Sequence, residues 1–304
     1  MPSELHVVTG AFSYTGKYIT RRLLADGVQV RTLTGHPDRP HEFGDAVEVH
    51  PLRFDRPLEL EASLRGASVL YNTYWIRFER GESTFARAVA NTRALIAAAE
   101  RAGVRRLVHV SIANADRAPD LPYYRGKAEL EAHIKASGLS HAILRPTVLF
   151  GAEDILINNI AWVLRHLPVF GVPGDGSYRM RPIFVDDMAK LAVECARGTQ
   201  DVTVDAVGPE VFRFDEWVRL LAKTVGSRTR IVHMPPWMAL AATTAIGLAV
   251  GDVVLTSDEV KGLRADLLTA DAASAGHTRL SEWLTEHSDH VGRRYASEVA
   301  RHYR

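Results

Sequence analysis

The sequence predicts an α/β fold, a doubly wound parallel sheet covered by helices on both faces, with a smaller and mostly helical C-terminal part. Three observations predict it. Four times an apolar helical stretch ends at a glycine and a strand follows at once: residues 19–26, Gly27 and 28–34; residues 58–65, Gly66 and 68–73; residues 85–102, Gly103 and 106–112; residues 130–137, Gly138 and 141–150. Glycine takes the left-handed conformation that closes a helix without a Cβ penalty. The strands are apolar runs such as Leu107-Val108-His109-Val110, a pattern that suits strands covered on both faces. Repeated strand–helix units with short connections specify a parallel sheet with right-handed crossovers.

Residues 5–9 add the first strand and 47–54 the third. Beyond residue 150 the pattern loosens. Residues 155–167 read as a helix and 168–176 as a loop rich in proline and glycine. Residues 184–196 and 202–208 read as a helix and a strand that rejoin the main sheet. A helix at 214–225 and a short strand at 230–233 follow, and the C-terminal third is mostly helical. The uncharged apolar run 237–251 falls short of the roughly 20 residues a membrane span needs. It reads as a buried helix or the wall of a greasy pocket, with interfacial contact the lesser reading.

Composition narrows the function classes. Of 304 residues, 46% are hydrophobic and 24% charged, which argues against disorder. A net charge of +1 with interspersed acids and bases offers no track for nucleic acid. The single cysteine, Cys195, excludes an intrachain disulfide or a cysteine-rich metal site. In its apolar helical setting it reads as a buried, inert thiol, and the absence of disulfides suits a reducing cytoplasm. The thirteen histidines show no ligand spacing, so no metal is expected. The opening Met1-Pro2-Ser3-Glu4 runs straight into a strand, which predicts no secretion signal.

The first strand runs into Thr9-Gly10-Ala11-Phe12-Ser13-Tyr14-Thr15-Gly16 and a helix follows. A dinucleotide site needs backbone to approach the pyrophosphate and helix N–H groups to point at it. Gly10 supplies the tight turn and Gly16 lets helix and strand pack closely. Ser13 stands where the middle glycine is usual, with a hydroxyl able to donate to phosphate. After the second strand, where a carboxylate would receive the ribose 2′-hydroxyl of NAD, the sequence has Thr34-Gly35 instead. Arg31, His36 and Arg39 are basic candidates for a 2′-phosphate and Asp38 dissents. NADP(H) is favoured over NAD(H).

Thr9-Gly10-x-x-Ser13-x-x-Gly16, Asp55, Asn72, Asn91, Tyr123-x-x-x-Lys127, Arg145-Pro146-Thr147 and Val185-Asp186-Asp187 occur in the order seen in extended and atypical short-chain dehydrogenases/reductases. The sequence resembles their NAD(P)H-binding branch, which holds the NmrA-like proteins and the nucleotide-binding accessory subunit of respiratory complex I. The resemblance covers residues 5 to about 208; beyond that it is architectural. It implies a Rossmann-type dinucleotide-binding domain at 1–150 and a substrate-binding part at 151–304, with 184–208 returning to the first. It places Asp55 and Asn72 beside the adenine and inner ribose, counts Thr73 among the cofactor-binding residues, and places Pro146 and Thr147 at the nicotinamide end.

In the resembling family the tyrosine is the general acid/base. A phenol with a reference pKa near 10 is a poor base at neutral pH, and an ammonium one helical turn away favours the phenolate. Tyr123 and Lys127, four apart, share a helix face. Lys127 would also hold the nicotinamide ribose, and Ser111 or Asn114 would orient a substrate carbonyl. The bland alternative is a helix-start aromatic and a solvated lysine. The implied activity is an NADP(H)-dependent oxidoreductase or epimerase acting on a small, partly apolar carbonyl or hydroxyl compound. Many relatives carry the working hydroxyl where this chain has Ala113, so a catalytically silent regulator or assembly factor stands as the alternative. Trp75, Phe150, residues 155–162 and the run 237–251 are candidate pocket walls. Asp186-Asp187 reads as a helix N-terminus rather than a metal pair. The expected partner is a small molecule, with no nucleic acid and no stable membrane insertion; a homodimer is allowed.

Overall fold

The computed structural model describes residues 4–302, so Met1-Pro2-Ser3, part of the opening segment read above, lies outside it. The chain forms two compact units. The first is Met1–Pro146 with Val185–Ala206, the second Thr147–Phe184 with Val207–Arg304.

The first unit alternates β1 (Leu5–Thr9), α1 (Tyr14–Ala25), β2 (Gln29–Thr34), β3 (Val47–Pro51), α2 (Pro57–Leu64), β4 (Ala67–Asn72), α3 (Phe85–Arg101), β5 (Arg106–Val110), α4 (Pro122–Ala136) and β6 (Ser140–Pro146). The second unit then contributes β7 (Leu149–Phe150), α5 (Leu156–His166), β8 (Val169–Pro173), β9 (Arg179–Met180) and β10 (Ile183–Phe184). The chain returns to the first unit for α6 (Val185–Arg197) and β11 (Val202–Ala206). The seven-stranded parallel sheet has the order β11-β6-β5-β4-β1-β2-β3. Strand order reverses between β1 and β4, the switch point where open α/β sheets bind ligands beyond the strand carboxyl ends. Leu33, Leu60, Leu70, Leu95, Leu107 and Ile143 are fully or almost fully buried in one apolar cluster, as strands covered on both faces require.

The returning segment is clamped. Arg106, almost wholly buried, donates to the carbonyls of Cys195 and Gln200 and to the Ser140 hydroxyl. Arg22 on α1 forks onto Asp186 in the first turn of α6. Asp186 therefore works as a helix-start anion and packing partner, as read. Cys195 is half-buried rather than enclosed, and burial pushes its thiol pKa up.

The second unit adds β12 (Phe212–Arg213), α7 (Phe214–Thr224), β13 (Arg230–Met234), α8 (Pro236–Val250), α9 (Ser257–Arg264), α10 (Leu280–Glu286) and α11 (Glu298–His302). Phe150, Ile157, Trp217, Leu221 and Leu284 form its core. The expected 168–176 loop is corrected: it contains β8, which pairs in parallel with β13. Gly171 gives room to the Met234 side chain, whose methyl would lie 2.3 Å from a Cβ there. The expected strand 141–150 is two strands, β6 ending at Pro146 and β7 pairing with β10. The third strand stops at Pro51, with one further bond from the Leu52 N–H to the Thr34 carbonyl, rather than running to residue 54.

The apolar run 237–251 is also corrected. It forms α8, but only Ala239 and Gly247 are buried. Trp237 is 68% exposed and Leu248 83%.

Candidate functional site

The turn after β1 is built to approach an anion. Gly10 sits at φ +67°, a conformation that costs an L side chain roughly 1–2 kcal/mol. A Cβ on Gly16 would lie 2.1 Å from the Gly10 carbonyl oxygen, so only glycine lets α1 start this close to β1. No acidic residue stands in the first turn of α1, and no side chain caps it. That leaves the helix start suited to a phosphate rather than to a carboxylate of its own. The Ser13 hydroxyl corrects one expectation. It donates to the Gly10 carbonyl at 2.6 Å and braces the turn, rather than being held out for a phosphate. Phe12 stacks on His41 at 3.8 Å, so it walls the loop toward the β2–β3 connection. Tyr14 and Thr15 open α1.

After β2, Thr34 is buried and its hydroxyl accepts from the His36 N–H, while the Arg39 N–H donates to the His36 carbonyl. One tight turn therefore carries Gly35, His36 and Arg39, with Gly35 open to solvent. Arg31 is not part of this group. Its guanidinium binds Glu48 and the carbonyls of Ser63 and Arg65.

The ends of β1 and β4 are laced together. Thr73 N–H donates to Thr9 Oγ1 at 2.8 Å, and Thr73 Oγ1 returns a bond to the Thr9 carbonyl at 2.6 Å. The Asn72 side chain accepts from Thr9 Oγ1 and from the Tyr74 N–H, and donates to His109 Nδ1 at 3.0 Å. Asn91 donates to the Tyr74 hydroxyl. Asp55 is exposed in the turn after β3.

Around the start of α4 the structure gathers Tyr123, Lys127 and Trp75. Lys127 is 2% exposed; its Nζ donates to the Val110 carbonyl at 2.8 Å and lies 4.5 Å from the Trp75 ring centre. Burial brings its pKa down to about 7. The Tyr123 ring meets Trp75 edge-on at 5.8 Å and Phe85 edge-on at 5.9 Å. Gly126, which sequence reasoning passed over, makes room: a Cβ there would sit 2.9 Å from the Trp75 ring. The bland reading of Lys127 as a solvated lysine is thereby excluded. Trp75 Nε1 and His109 Nε2 are buried without a hydrogen-bond partner among the described residues, a condition that core atoms such as Trp217 Nε1 share. Burial and the nearby Lys127 hold His109 well below the usual histidine range, so its imidazole is neutral.

Ser111 points elsewhere. Its hydroxyl donates to Glu131 at 2.5 Å, and Glu131 is held by Arg145 through a forked ion pair. Glu131 is 3% exposed. The pairing raises the Arg145 pKa. Glu131 lies four residues beyond Lys127 on α4, a spacing that could have flagged it. Asn114 ends the β5 loop in the left-handed region at φ +57°, and the Ala113 N–H donates to the Pro146 carbonyl. In the second unit, the Thr147 hydroxyl donates to the Arg181 carbonyl, and Phe150 is fully buried in the core. Among the described residues no cluster of metal-ligating side chains occurs.

The N-terminal geometry is thus that of a dinucleotide cradle. A family described as NAD(P)H-binding matches residues 10–162. The chain is 26% identical over 286 residues to mitochondrial NADH dehydrogenase [ubiquinone] 1 alpha subcomplex subunit 9 of Arabidopsis thaliana, covering 88% of this chain and 71% of that protein. It is 28% identical over 234 residues to a ceramide reductase of Caulobacter vibrioides, covering 75% and 73%. Among solved structures, the NADPH-dependent quinone oxidoreductase of Escherichia coli, complexed with NADPH, superposes with a TM-score of 0.77 at 20% identity, covering 92% of this chain and 99% of that one. With the family match spanning half its length, the chain belongs to the NAD(P)H-binding family and has a Rossmann-type α/β fold.

Proposed function

We propose that the protein is an NADPH-dependent reductase of the short-chain type acting on a small, partly apolar carbonyl compound. The observation that carries the reading is the buried Lys127 set on one helix face with Tyr123, at the carboxyl edge of the sheet. When bound, NADPH supplies a hydride from its nicotinamide ring. Gly10, Ser13 and Gly16 shape the turn that receives the pyrophosphate, with Thr9, Phe12, Tyr14 and Thr15 lining it. Thr34, Gly35, His36 and Arg39 meet the 2′-phosphate. Asp55, Asn72 and Thr73 flank the adenine and inner ribose, and Pro146 and Thr147 serve the nicotinamide end. Tyr123 gives its phenolic proton to the carbonyl oxygen as the alcohol forms, and Lys127 holds the nicotinamide ribose. The Trp75 ring now covers Lys127, so it must turn aside for that contact. Asn114 orients the carbonyl; its left-handed backbone is the kind of local strain that functional positions carry. Ser111, committed to Glu131, acts as a positioning residue for α4.

A second reading is favoured by one observation. With Ser111 engaged and Ala113 buried, no serine hydroxyl is offered at the end of β5, which suits a silent NADPH-binding regulator or assembly subunit. Calorimetric titration and a turnover screen separate the two. NADPH should bind more tightly than NADH, and His36→Ala with Arg39→Ala should erase that preference; equal affinity in the wild type overturns the cofactor assignment. NADPH oxidation with hydrophobic ketones or quinones supports the reductase. Tight NADPH binding with no turnover across such a panel supports the regulator.

A further inference from the structure

We propose that the second unit docks peripherally on a bilayer surface carrying anionic headgroups, with the outer stripe of α8 lying in the interfacial layer. The helix is fifteen residues long and contains no charged residue. At 1.5 Å per residue it is about 22 Å long, short of the roughly 30 Å apolar thickness of a bilayer. Among the described residues no helix is long and apolar enough to cross a membrane. Its inner stripe, Ala239, Thr243 and Gly247, is buried or half-buried. The outer stripe, Trp237, Met238, Ala241, Ala245 and Leu248, is exposed along the whole length. Met238 is 41% exposed, between the larger values of Trp237 and Leu248. Isolated apolar residues on a surface need no explanation, whereas a continuous helical stripe marks an interaction site. A tryptophan at one end of such a stripe is the side chain that partitions best to the headgroup level.

Charge selects the occupant. From Trp217 to Gly251 the chain carries Arg219, Lys223, Arg228 and Arg230, and no aspartate or glutamate. Lys223, Arg228 and Arg230 are exposed, and none forms an ion pair among the described residues, although Arg219 reaches Asp215. Arg228 and Arg230 line a recess of about 650 Å³ with Arg165 and His166, and no carboxylate lines it. The Arg165 guanidinium donates to three carbonyls, those of Val225, Ser288 and Val291, rather than to a carboxylate, although Asp289 acts on its charge from nearby. The strand β13, which starts at Arg230, joins this recess to α8 and exposes Val232 on the way.

A second copy of the chain fits less well. A two-fold contact places the same patch on both sides, so these uncompensated cations would face one another. An anionic lipid surface answers both the apolar stripe and the cations.

The test is sedimentation of the full chain with vesicles of phosphatidylcholine alone or mixed with phosphatidylglycerol. The wild type should partition about tenfold more strongly into the phosphatidylglycerol vesicles, and raised salt should release it. Trp237 emission should shift to the blue on binding, and Trp237→Phe should lose that shift. Leu248→Glu and the double variant Arg228→Glu/Arg230→Glu change exposed positions, so circular dichroism should report intact folds, and each should lower the partition about tenfold. The proposal is overturned if the wild type stays in the supernatant with both vesicles, or if folded variants partition as it does. It is also overturned if light scattering finds a wild-type dimer that Leu248→Glu dissolves and vesicles do not bind, which would assign the stripe to a second copy.

Discussion

Replacing Lys127 by methionine is expected to stabilise the first unit while weakening cofactor binding. In the folded chain burial lowers the Lys127 pKa from 10.5 to about 7. The unfolded chain therefore binds more protons between these values, and wild-type stability rises with pH across that window; below the folded pKa the penalty is complete and constant. At 1.36 kcal/mol per unit, the shift corresponds to a cost of roughly 4–5 kcal/mol near pH 6.5 and about 1–2 kcal/mol near pH 9.5. Methionine carries no such cost. The contacts it loses, to the Val110 carbonyl and the Trp75 ring, are lost at both pH values. The gap between variant and wild type should therefore shrink by about 3 kcal/mol between those two conditions. Urea unfolding followed by far-UV circular dichroism at both pH values measures the gap, with midpoints of both proteins compared under identical buffers. A gap that stays the same refutes the argument, because it would mean that the lysine keeps its ordinary pKa and is not enclosed.

Three further outcomes follow from particular contacts. Gly16→Ala should destabilise the fold by roughly 1–3 kcal/mol, the usual range for overpacking, and abolish NADPH binding in a calorimetric titration, since its Cβ meets the Gly10 carbonyl. Glu131→Gln should lower the melting temperature by several degrees, a loss of about 2–4 kcal/mol, because Arg145 is left mostly buried and unpaired; Glu131→Leu combined with Arg145→Met should recover most of it, and failure to recover would show that the pair is not self-contained. Tyr123→Phe should leave thermal stability and NADPH affinity unchanged while cutting turnover of any identified substrate by roughly 10²–10⁴-fold; wild-type turnover in this variant would remove the tyrosine from the mechanism.

The sheet was legible because its strands and glycine-closed helices repeat a local pattern, and each unit obeys rules of short range. The return of α6 and β11 was legible for the same reason. What failed depended on partners far away in sequence. β8 reads as a loop until its distant partner β13 pairs beside it. The run 237–251 has the composition of a core helix, and nothing in composition says that the second unit leaves one side of it uncovered. At the candidate site, Tyr123 and Lys127 were found by spacing on one helix. Ser111 was misread because its fate is set by Glu131 and Arg145, twenty and thirty-four residues on. Gly126 was missed because its role is to leave space for a tryptophan on another strand's loop.

The discontinuity of the first unit has a consequence for how the chain is made. β6 is complete at residue 146, but its sheet neighbour β11 ends only at residue 206. At roughly 5–20 residues per second, a ribosome needs about 3–12 s to supply those 60 residues. Until then β6 is an open edge, with a row of unpaired amides and carbonyls on an apolar strand, the kind of template on which chains join one another. The clamp from Arg106 cannot close either, since its acceptors Cys195 and Gln200 are not yet made. Nascent chains stalled between these points should therefore be the aggregation-prone species, and chaperone demand during synthesis should fall once the eleventh strand has emerged.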